Sequence, residues 1–238
     1  MIRVCLLFIV WFVFGKDCLA QYSEFKVFKG DTINCKDTKG MKQGVWRKYY
    51  RNDTLCSETV FINDRPSGIS RTWYESGRIK AEAVHEGTKG RSRAVSYYEN
   101  GKVMARGFYL NGKKDSVWNY FGENDSLKSL EFYNAGSPVG TWKVFYENGK
   151  IAEEKNYKTG KRDGAYRQYN DAGILLFEMN YKADKEDGLV KIYYNDGRLR
   201  ESGRYKNGVK EGKWIEYDPS GREKFIRNFK DGNEVENP

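Results

Sequence analysis

From residue 44 onward, glycine and aromatic residues recur along the chain every 24 residues. The first glycine of each unit is taken as position 0, and the series is Gly44, Gly68, Gly140, Gly164, Gly188 and Gly212, with Ser92 and Ser116 in the two remaining places. Aromatic residues follow at +5 in all eight units, at +17 in seven and at +2 in five. An unbroken period of this length is the signature of a repeat architecture.

Each unit has the pattern of a β-hairpin. Dipeptides such as Asn100-Gly101 at +8 and +9, between aromatic and aliphatic runs, are typical of a two-residue type I′ turn. Such a turn makes the offsets of facing residues sum to 17. This register places opposite charges face to face at +3 with +14 and at +7 with +10. The seven pairs are Arg47 with Glu58, Arg71 with Glu82, Lys143 with Glu154, Arg167 with Glu178, Glu75 with Arg78, Glu99 with Lys102, and Glu147 with Lys150.

The alternation of side chains along strands predicts two different faces. Positions +2, +6, +11 and +17 should share one face, and +3, +5, +7, +10, +12 and +14 the other. We therefore expect an all-β fold, in which strands from about +1 to +7 and +10 to +17 form one elongated antiparallel sheet of roughly 17 strands. Residues 21–43 form a half-repeat or cap, residues 44–232 form eight repeats, and residues 233–238 form a tail.

The N-terminus has the pattern of a cleaved secretory signal. An unbroken apolar run from Val4 to Phe14 follows Arg3, and small residues ending at Ala20 precede Gln21. The run of 11 residues is short for a spanning helix, which needs about 20. We expect a signal peptide over residues 1–20, cleaved after Ala20, and a protein exported to a periplasm, an outer-membrane surface or the extracellular space. The Leu-Ala-Gln ending resembles that of exported proteins of the Bacteroidota.

Charge and cysteine content narrow the picture further. The formal net charge of +9 would become +8 after cleavage, which leaves a basic chain. Scattered Lys and Arg on a solvated face are one interpretation, and a surface for anionic lipid or acidic glycan is the other. Cys35 and Cys56 would remain after cleavage. The repeat register places them on opposite faces with one strand between, which argues against a disulfide, although an oxidising compartment favours one.

The spacing from Tyr205 through Gly208, Gly212 and Trp214 resembles the MORN repeat, and Tyr157 to Gly173 and Tyr181 to Gly197 repeat it. The nearest branch is the bacterial YwqK-type antitoxin family, and the resemblance covers residues 40 to 232. It implies an antiparallel sheet that serves as a scaffold for protein assembly, with phospholipid binding as a further possibility. Ser70, Ala94 and Val190 depart from the pattern at +2, and Gly122 departs at +6.

Nothing in the sequence assembles a catalytic, cofactor or metal site. His85, the single histidine, occupies a +17 position that is aromatic elsewhere, which indicates a structural role. The carboxylates at +14 face Lys or Arg in the predicted register, so an acid/base pair is not expected. We expect a protein that is not an enzyme and that binds neither a cofactor, a metal nor nucleic acid.

The expected function is an exported repeat scaffold for protein–protein interaction at the cell envelope. The alternatives are a binder of anionic lipid or acidic glycan, and an antitoxin-like or immunity-like neutralising protein. The +5 aromatic residues are the candidate partner-binding surface, because charged neighbours on a thin sheet should leave them partly exposed. They are Tyr49, Trp73, Tyr97, Phe121, Phe145, Tyr169, Tyr193 and Tyr217. The irregular segments 87–92 and 122–126 are the second candidates.

Overall fold

A computed structural model describes residues 22–87 and 90–236, and these form one open antiparallel sheet of 20 strands. No α-helix occurs in this described part of the chain. The strands are β1 Tyr22–Phe28, β2 Asp31–Asp37, β3 Lys42–Tyr49, β4 Leu55–Ile62, β5 Arg65–Trp73, β6 Ile79–Glu86, β7 Arg91–Tyr97, β8 Val103–Leu110, β9 Lys113–Phe121, β10 Leu127–Asn134, β11 Ser137–Pro138, β12 Gly140–Phe145, β13 Ile151–Lys158, β14 Lys161–Tyr169, β15 Leu175–Lys182, β16 Lys185–Tyr193, β17 Leu199–Lys206, β18 Val209–Tyr217, β19 Glu223–Lys230 and β20 Asn233–Val235. The predicted fold class is confirmed.

The eight hairpins keep the 24-residue period, but their strands are displaced from the predicted bounds. The first strand of a regular unit begins two or three residues before position 0 and ends at +5, and the second runs from +11 to +18. The segment expected to be a half-repeat holds the complete hairpin β1/β2, and β20 of the tail pairs with β19. The expected signal peptide lies outside the described residues.

The turn predicted at +8 and +9 is wrong. In the second unit, the Tyr74 N–H donates to the Arg78 carbonyl at 2.8 Å, and the Gly77 N–H donates to the Tyr74 carbonyl at 2.9 Å. The hairpin therefore closes through a three-residue loop in which Gly77 alone has a positive φ, of 83°. A type I turn followed by a left-handed residue produces this loop. Glycine is favoured at +9 because it adopts the left-handed conformation without steric cost.

A bulge next to this loop restores the predicted register over most of each hairpin. Trp73 faces Ile79, so the offsets sum to 16, but Thr72 faces Ala81, and the sum of 17 holds from there onward. The four predicted pairs at +3 and +14 are confirmed as facing residues.

The three predicted pairs at +7 and +10 are wrong, because the +10 residue bonds to +6. The hydrogen bonds that show this join Tyr74 to Arg78, Tyr98 to Lys102 and Tyr146 to Lys150, so Glu75, Glu99 and Glu147 lie in the loops. Position +11 also moves to the face of +5, since Tyr49 faces Leu55.

Two-residue turns with positive φ at both positions do occur, at +19 and +20 between units. Asn63 and Asp64 have φ values of 51° and 64°, and Asn111 and Gly112 have values of 49° and 77°. After most of these turns, the residue at position 0 also has a positive φ, as in Gly68 at 66°, and the pairing with the preceding strand shifts there. The β6–β7 junction differs: β6 and β7 pair without a shift through Ser92.

The sheet has two faces of different character. The first, called here the Trp face, carries +2, +4, +13, +15 and +17, and holds two buried clusters: Ala94, Ala105 and Trp118, and Met179, Val190 and Trp214. The second, called here the charged face, carries +1, +3, +5, +11, +14 and +16. The predicted placement of +2 with +17, and of +3 with +5 and +14, is confirmed.

Candidate functional site

The eight +5 aromatic residues proposed as the candidate surface lie in a row on the charged face, and all are half-buried. Three of their tyrosine hydroxyls donate hydrogen bonds to carboxylates of the preceding unit. Tyr97 donates to Glu82 at 3.3 Å, Tyr169 donates to Glu154 at 3.1 Å, and Tyr193 donates to Glu178 at 3.0 Å. Each of these three rings therefore reaches across the boundary between two hairpins. The row has a structural role, and it also leaves part of every ring in contact with solvent.

The environment of these tyrosines opposes their ionisation. Partial burial, together with the carboxylate of Glu178, raises the pKa of Tyr193 to about 12. Burial raises the pKa of Tyr97 and Tyr169 as well, and the neighbouring glutamates add to the effect. A phenolate would be close to a negative charge, so the protonated hydroxyl is favoured as a donor. Tyr97, Tyr169 and Tyr193 are therefore protonated throughout the physiological pH range.

Ion pairs run beside the aromatic row at +3 and +14. In the fifth to seventh units they form a continuous zigzag, in which Glu154 contacts Lys143 at 3.4 Å and Arg167 at 3.9 Å. Glu178 continues it, with Arg167 at 3.7 Å and Lys191 at 3.4 Å. The third and fourth units interrupt the pattern, because the same positions hold Val95, Arg106, Asn119 and Leu130. The charged face is therefore divided along its length.

A third row on the charged face, at the facing positions +1 and +16, also changes along the chain. In the first four units these positions are apolar except for Arg93. This apolar row is Val45, Val60, Ile69, Val84, Phe108, Val117 and Phe132. In the last four units, the same positions hold mainly polar residues: Thr141, Asn156, Ala165, Asn180, Leu189, Arg204, Lys213 and Asn228. The sequence analysis missed this change because +1 and +16 do not recur as one residue type.

Part of the apolar row is open to solvent. Ile69 and Val84 face each other on β5 and β6, and are 42% and 37% exposed. Ile62, at the end of the preceding strand, is 56% exposed, and Ile79 is 40% exposed. Ile69 and Val84 lie next to the ion pair of Arg71 with Glu82, at 2.8 Å. The second unit thus combines exposed aliphatic groups with an ordered charge pair on the same face.

On the Trp face, rings at +2 and +17 form a ladder that holds consecutive hairpins together. Trp142 lies between Tyr133 and Tyr157, with ring centroids 5.0 and 4.7 Å away. Its indole N–H donates to the Phe132 carbonyl at 2.9 Å, and the Trp118 indole donates to the Phe108 carbonyl at the same distance. These contacts use both the apolar ring and its polar edge.

Two indoles of this ladder rest on glycines. A Cβ atom on Gly107 would overlap the ring of Trp118, and one on Gly203 would overlap the ring of Trp214. Both tryptophans are almost completely buried, at 5% and 4% exposure. Glycine at +15 therefore provides the space for a tryptophan at +2 of the next unit. This relationship was not recognised from the sequence, because only two of the units use it.

A further row of hydrogen bonds at +6 also escaped the sequence analysis. The hydroxyls of the +6 tyrosines donate to the +5 backbone carbonyl of the next unit, at distances of 2.7 or 2.8 Å. The donors are Tyr50, Tyr74, Tyr98, Tyr146 and Tyr194. The recurrence of tyrosine at a fixed offset was the available signal. Gly122 and Asn170, which replace tyrosine, interrupt the row.

Reactive groups are sparse among the described residues. The Ser70 hydroxyl and His85 Nε2 are 2.7 Å apart, and burial lowers the pKa of His85. No group of three His, Cys, Asp or Glu side chains that could hold a metal ion occurs in residues 22–87 and 90–236. Cys35 is buried and Cys56 is half-buried, and no disulfide joins them. In the same described residues, no helix is long and apolar enough to cross a membrane.

Comparison with known families identifies the repeat. The MORN repeat variant matches residues 42–63, 93–113, 138–159, 162–183 and 186–207. Four of these five segments begin two residues before position 0 and end at +19, so each spans one hairpin and reaches the tight turn that follows it. Five segments of the chain thus match the MORN repeat variant, in keeping with the resemblance of the sequence. A search of curated proteins finds none that matches.

Two solved structures align with most of the chain at low similarity. The Tc holotoxin pore of Photorhabdus luminescens shows 12% identity and a TM-score of 0.22, over 85% of this chain and 13% of that one. The TcdB2-TccC3-Cdc42 complex shows 11% identity and a TM-score of 0.20, over 84% of this chain and 14% of that one. The chain thus corresponds to a small part of either length. TM-scores this low carry no information about function.

Proposed function

We propose that this chain is an exported, non-enzymatic scaffold that binds a protein partner at the cell envelope. MORN repeats are generally protein-binding or membrane-binding scaffolds, and five segments of the chain match their variant. The predicted signal sequence at residues 1–20 supports export. The similarity to the YwqK-type branch remains part of this proposal, since the family match extends only to the repeat itself.

The observation that carries the proposal is the apolar row on the charged face of the first four units. Its seven residues lie on β3 to β6 and β8 to β10, with Arg93 on β7 between them, and therefore extend over about 34 Å at 4.8 Å per strand. Ile69 and Val84 are exposed within it although the same positions are mainly polar in units five to eight. Exposed aliphatic groups that adjoin further apolar residues mark interaction surfaces. Units five to eight form the same hairpins with mainly polar residues at these positions, so the fold does not require an apolar row there.

The +5 aromatic row gives this surface its rigid component. Tyr97 is held by its hydrogen bond to Glu82, which in turn pairs with Arg71 at 2.8 Å. A ring held in place loses little entropy when a partner binds, and partly exposed aromatic groups often carry much of the binding energy. The partner is therefore expected to contact Trp73 and Tyr97 as well as the apolar row.

A protein partner fits this surface better than anionic lipid or glycan does. Two of its cations are already paired, since Arg47 contacts Glu58 at 2.7 Å and Arg71 contacts Glu82, whereas Arg93 and Arg106 are exposed. Paired cations attract a polyanion weakly, whereas an apolar row gains from the burial of its side chains. Binding should therefore depend little on salt concentration, while binding to a polyanion would weaken steeply as salt is added.

The test uses a pair of lysine substitutions at the same offset. Val84→Lys places a charge in the apolar row, and Asn180→Lys places the same charge at +16 of the sixth unit, where the native residue is exposed and polar. The mature chain and both variants are immobilised and exposed to envelope extract, and captured proteins are quantified by mass spectrometry. We expect one partner to be retained by the native chain and by Asn180→Lys, and reduced at least tenfold by Val84→Lys.

The proposal fails if the native chain and both variants capture the same proteins in equal amounts. It also fails if the native chain captures no protein but binds vesicles of phosphatidylglycerol in a manner abolished by moderate salt. That second result would support the lipid alternative. Circular dichroism of both variants establishes that the sheet is intact before capture.

A further inference from the structure

The aromatic ladder of the Trp face is interrupted in the second and third units. Position +2, which holds Trp46, Trp118 and Trp142, is occupied by Ser70 and Ala94. His85 replaces the ring between them at +17. The ladder stops after Trp46 and Phe61, whose centroids are 5.9 Å apart, and resumes at Tyr109 and Trp118, 4.9 Å apart. Position +2 therefore carries no aromatic ring in these two consecutive units.

The empty position leaves a depression of about 180 Å³ in the Trp face. Its floor and rim are formed by small residues, and Tyr109 and Trp118 close one end. The small residues are Ser70, Thr72, Ala81, Ala83, Ala94 and Ser96. A cavity of about 150 Å³ suffices to bind a benzene ring. The depression is therefore large enough for a single aromatic ring.

The backbone prevents this space from collapsing. Ser70 faces Ala83, and Ala83 in turn faces Ala94, in uninterrupted antiparallel pairing of β5, β6 and β7. The separation of hydrogen-bonded strands is set near 4.8 Å, so smaller side chains cannot draw the strands together. In a packed core, neighbouring groups relax into part of a vacated space. Here the sheet keeps the space open on one side.

The ring that is missing can be identified from the other units. Trp118 is at +2 and lies over Gly107 of the preceding strand, and Trp214 lies over Gly203 in the same way. The equivalent residue for position 94 is Ala83, which lines the depression. The space lies where the other units place a +2 indole, but the Cβ of Ala83 keeps a ring farther from the backbone here than at Gly107 or Gly203. Its end is closed by Trp118 and Tyr109, which provide ring surfaces for an incoming aromatic group.

Ser70, which lines the depression and contacts His85 behind it, matches the polar edge of such a ring. Ser70 Oγ and His85 Nε2 lie 2.7 Å apart. Burial lowers the pKa of His85, so its imidazole is uncharged at neutral pH and the pair can offer an acceptor to an N–H or O–H group. A ring with one donor, such as an indole or a phenol, suits a site with an apolar floor and one polar edge.

We propose that this depression binds the side chain of a tryptophan or tyrosine from a partner protein, which completes the ladder in trans. The site lies on the opposite face of the sheet from the apolar row, so it does not depend on the function proposed above. The incoming ring contacts Trp118 and Tyr109 and covers Ala83, and its N–H or O–H bonds to the Ser70–His85 pair.

Titration with three probes tests the inference, with chemical-shift changes of the Trp118 indole N–H as readout. The probes are the peptides Gly-Gly-Trp-Gly-Gly and Gly-Gly-Leu-Gly-Gly, and free indole. We expect saturable binding of the tryptophan peptide and of indole, with Kd on the order of 1 mM for a single small ring. The leucine peptide should bind at least tenfold more weakly.

Two variants fill the depression from within. Ala94→Trp restores the residue found at +2 in other units, and Ala81→Phe places at +13 the residue type that the sixth unit holds as Phe177. Either should weaken binding of the tryptophan peptide at least tenfold. The control, Tyr166→Trp, changes an occupied +2 position far along the sheet and should leave binding unchanged.

The inference is overturned if folded Ala94→Trp and Ala81→Phe bind the tryptophan peptide as the native chain does, or if the native chain shows no saturable binding of it. Binding of indole without binding of the peptide would show that the site takes a free aromatic molecule, and would refute the partner side chain as its occupant.

Discussion

The first four hairpin units differ from the last four at the +16 position of the charged face. That position is apolar in the first half, with Val60, Val84, Phe108 and Phe132, and polar in the second, with Asn156, Asn180, Arg204 and Asn228. The two halves have the same backbone plan and the same rows at +5. The fold therefore does not determine what is displayed at +16, and the difference indicates that the halves have separate roles.

The Trp face shows the same division. The last four units hold a nearly continuous aromatic ladder, which includes Trp142, Tyr166 and Trp214. In the first half, Ser70 and Ala94 interrupt this ladder. The zigzag of ion pairs also lies in the second half, where it runs from Lys143 to Lys191. In a repeat protein, stability is approximately the sum of the units and their interfaces. We therefore assign most of the stability to the second half and most of the binding to the first.

The largest expected effect is the loss of an indole from the second half. Trp214 is 4% exposed and packs against Tyr205 and Phe229, with centroids 5.2 and 6.0 Å away. Trp214→Ala should lower the free energy of unfolding by about 3–5 kcal/mol, measured by urea denaturation. Ser70→Ala, at the same offset in the first half, should cost less than about 1.5 kcal/mol, because it removes one hydrogen bond. Equal losses would contradict the assignment.

The row of +6 tyrosines should be common to both halves. Tyr98 and Tyr146 donate to backbone carbonyls of the next unit, at 2.8 and 2.7 Å. Tyr98→Phe and Tyr146→Phe should each lower the free energy of unfolding by about 1 kcal/mol, because each leaves one carbonyl without its donor. If only one of the two substitutions lowers the free energy of unfolding, the contribution of the +6 tyrosines differs between the two halves.

High pH should weaken the sheet through its tyrosines. The pKa of Tyr193 is raised to about 12 in the folded chain, whereas an unfolded tyrosine ionises near pH 10. The unfolded state therefore loses its proton first, so this stabilisation is complete below pH 10 and is lost as the pH rises to 12. Since the ring is half-exposed, the contribution should be on the order of 1 kcal/mol. Tyr193→Phe should lose less stability than the native chain between these pH values.

If that variant and the native chain lose stability in parallel between pH 10 and 12, Tyr193 makes no such contribution. Thermal denaturation at closely spaced pH values, at constant ionic strength, provides the comparison.

The smallest expected effect is the removal of one carboxylate from the ion-pair zigzag. Glu178 pairs with Arg167 and Lys191 and accepts a hydrogen bond from Tyr193. Glu178→Gln should cost about 0.5–1 kcal/mol at low salt and less at high salt, because the pairs are partly exposed and screened. Ser202→Ala, at the same offset in the seventh unit, is the control and should be insensitive to salt. The same salt dependence in both variants would indicate that the zigzag contributes nothing.

The period, the fold class and the division of +2 and +17 from +3, +5 and +14 could be predicted from the sequence. The turns could not be predicted, because the same dipeptide, Asn-Gly, occurs in two different kinds of turn. Asn100-Gly101 lies in a three-residue loop, where only the glycine has a positive φ, whereas Asn111-Gly112 forms a two-residue turn with both values positive. The bulges beside the loop and at position 0 decide between these outcomes, and they depend on pairing with neighbouring strands.

The candidate site was predictable only in part. The +5 row was visible because one residue class recurs in every unit. The apolar row and the depression near Ala83 consist of residues that depart from the repeat pattern. The role of a residue such as Ser70 or Ala94 can be assigned only when its neighbours across the sheet are known. Because facing residues in these two regions are 9 to 15 positions apart in the chain, the register had to be established first.

Hydrogen–deuterium exchange of the chain with its captured partner tests the central claim most directly. Backbone amides of β3 to β10 should be more protected in the complex than in the free chain, and those of β12 to β19 should exchange equally in both. Protection that is confined to β12–β19, or spread evenly over all eight units, would contradict the assignment of binding to the first half.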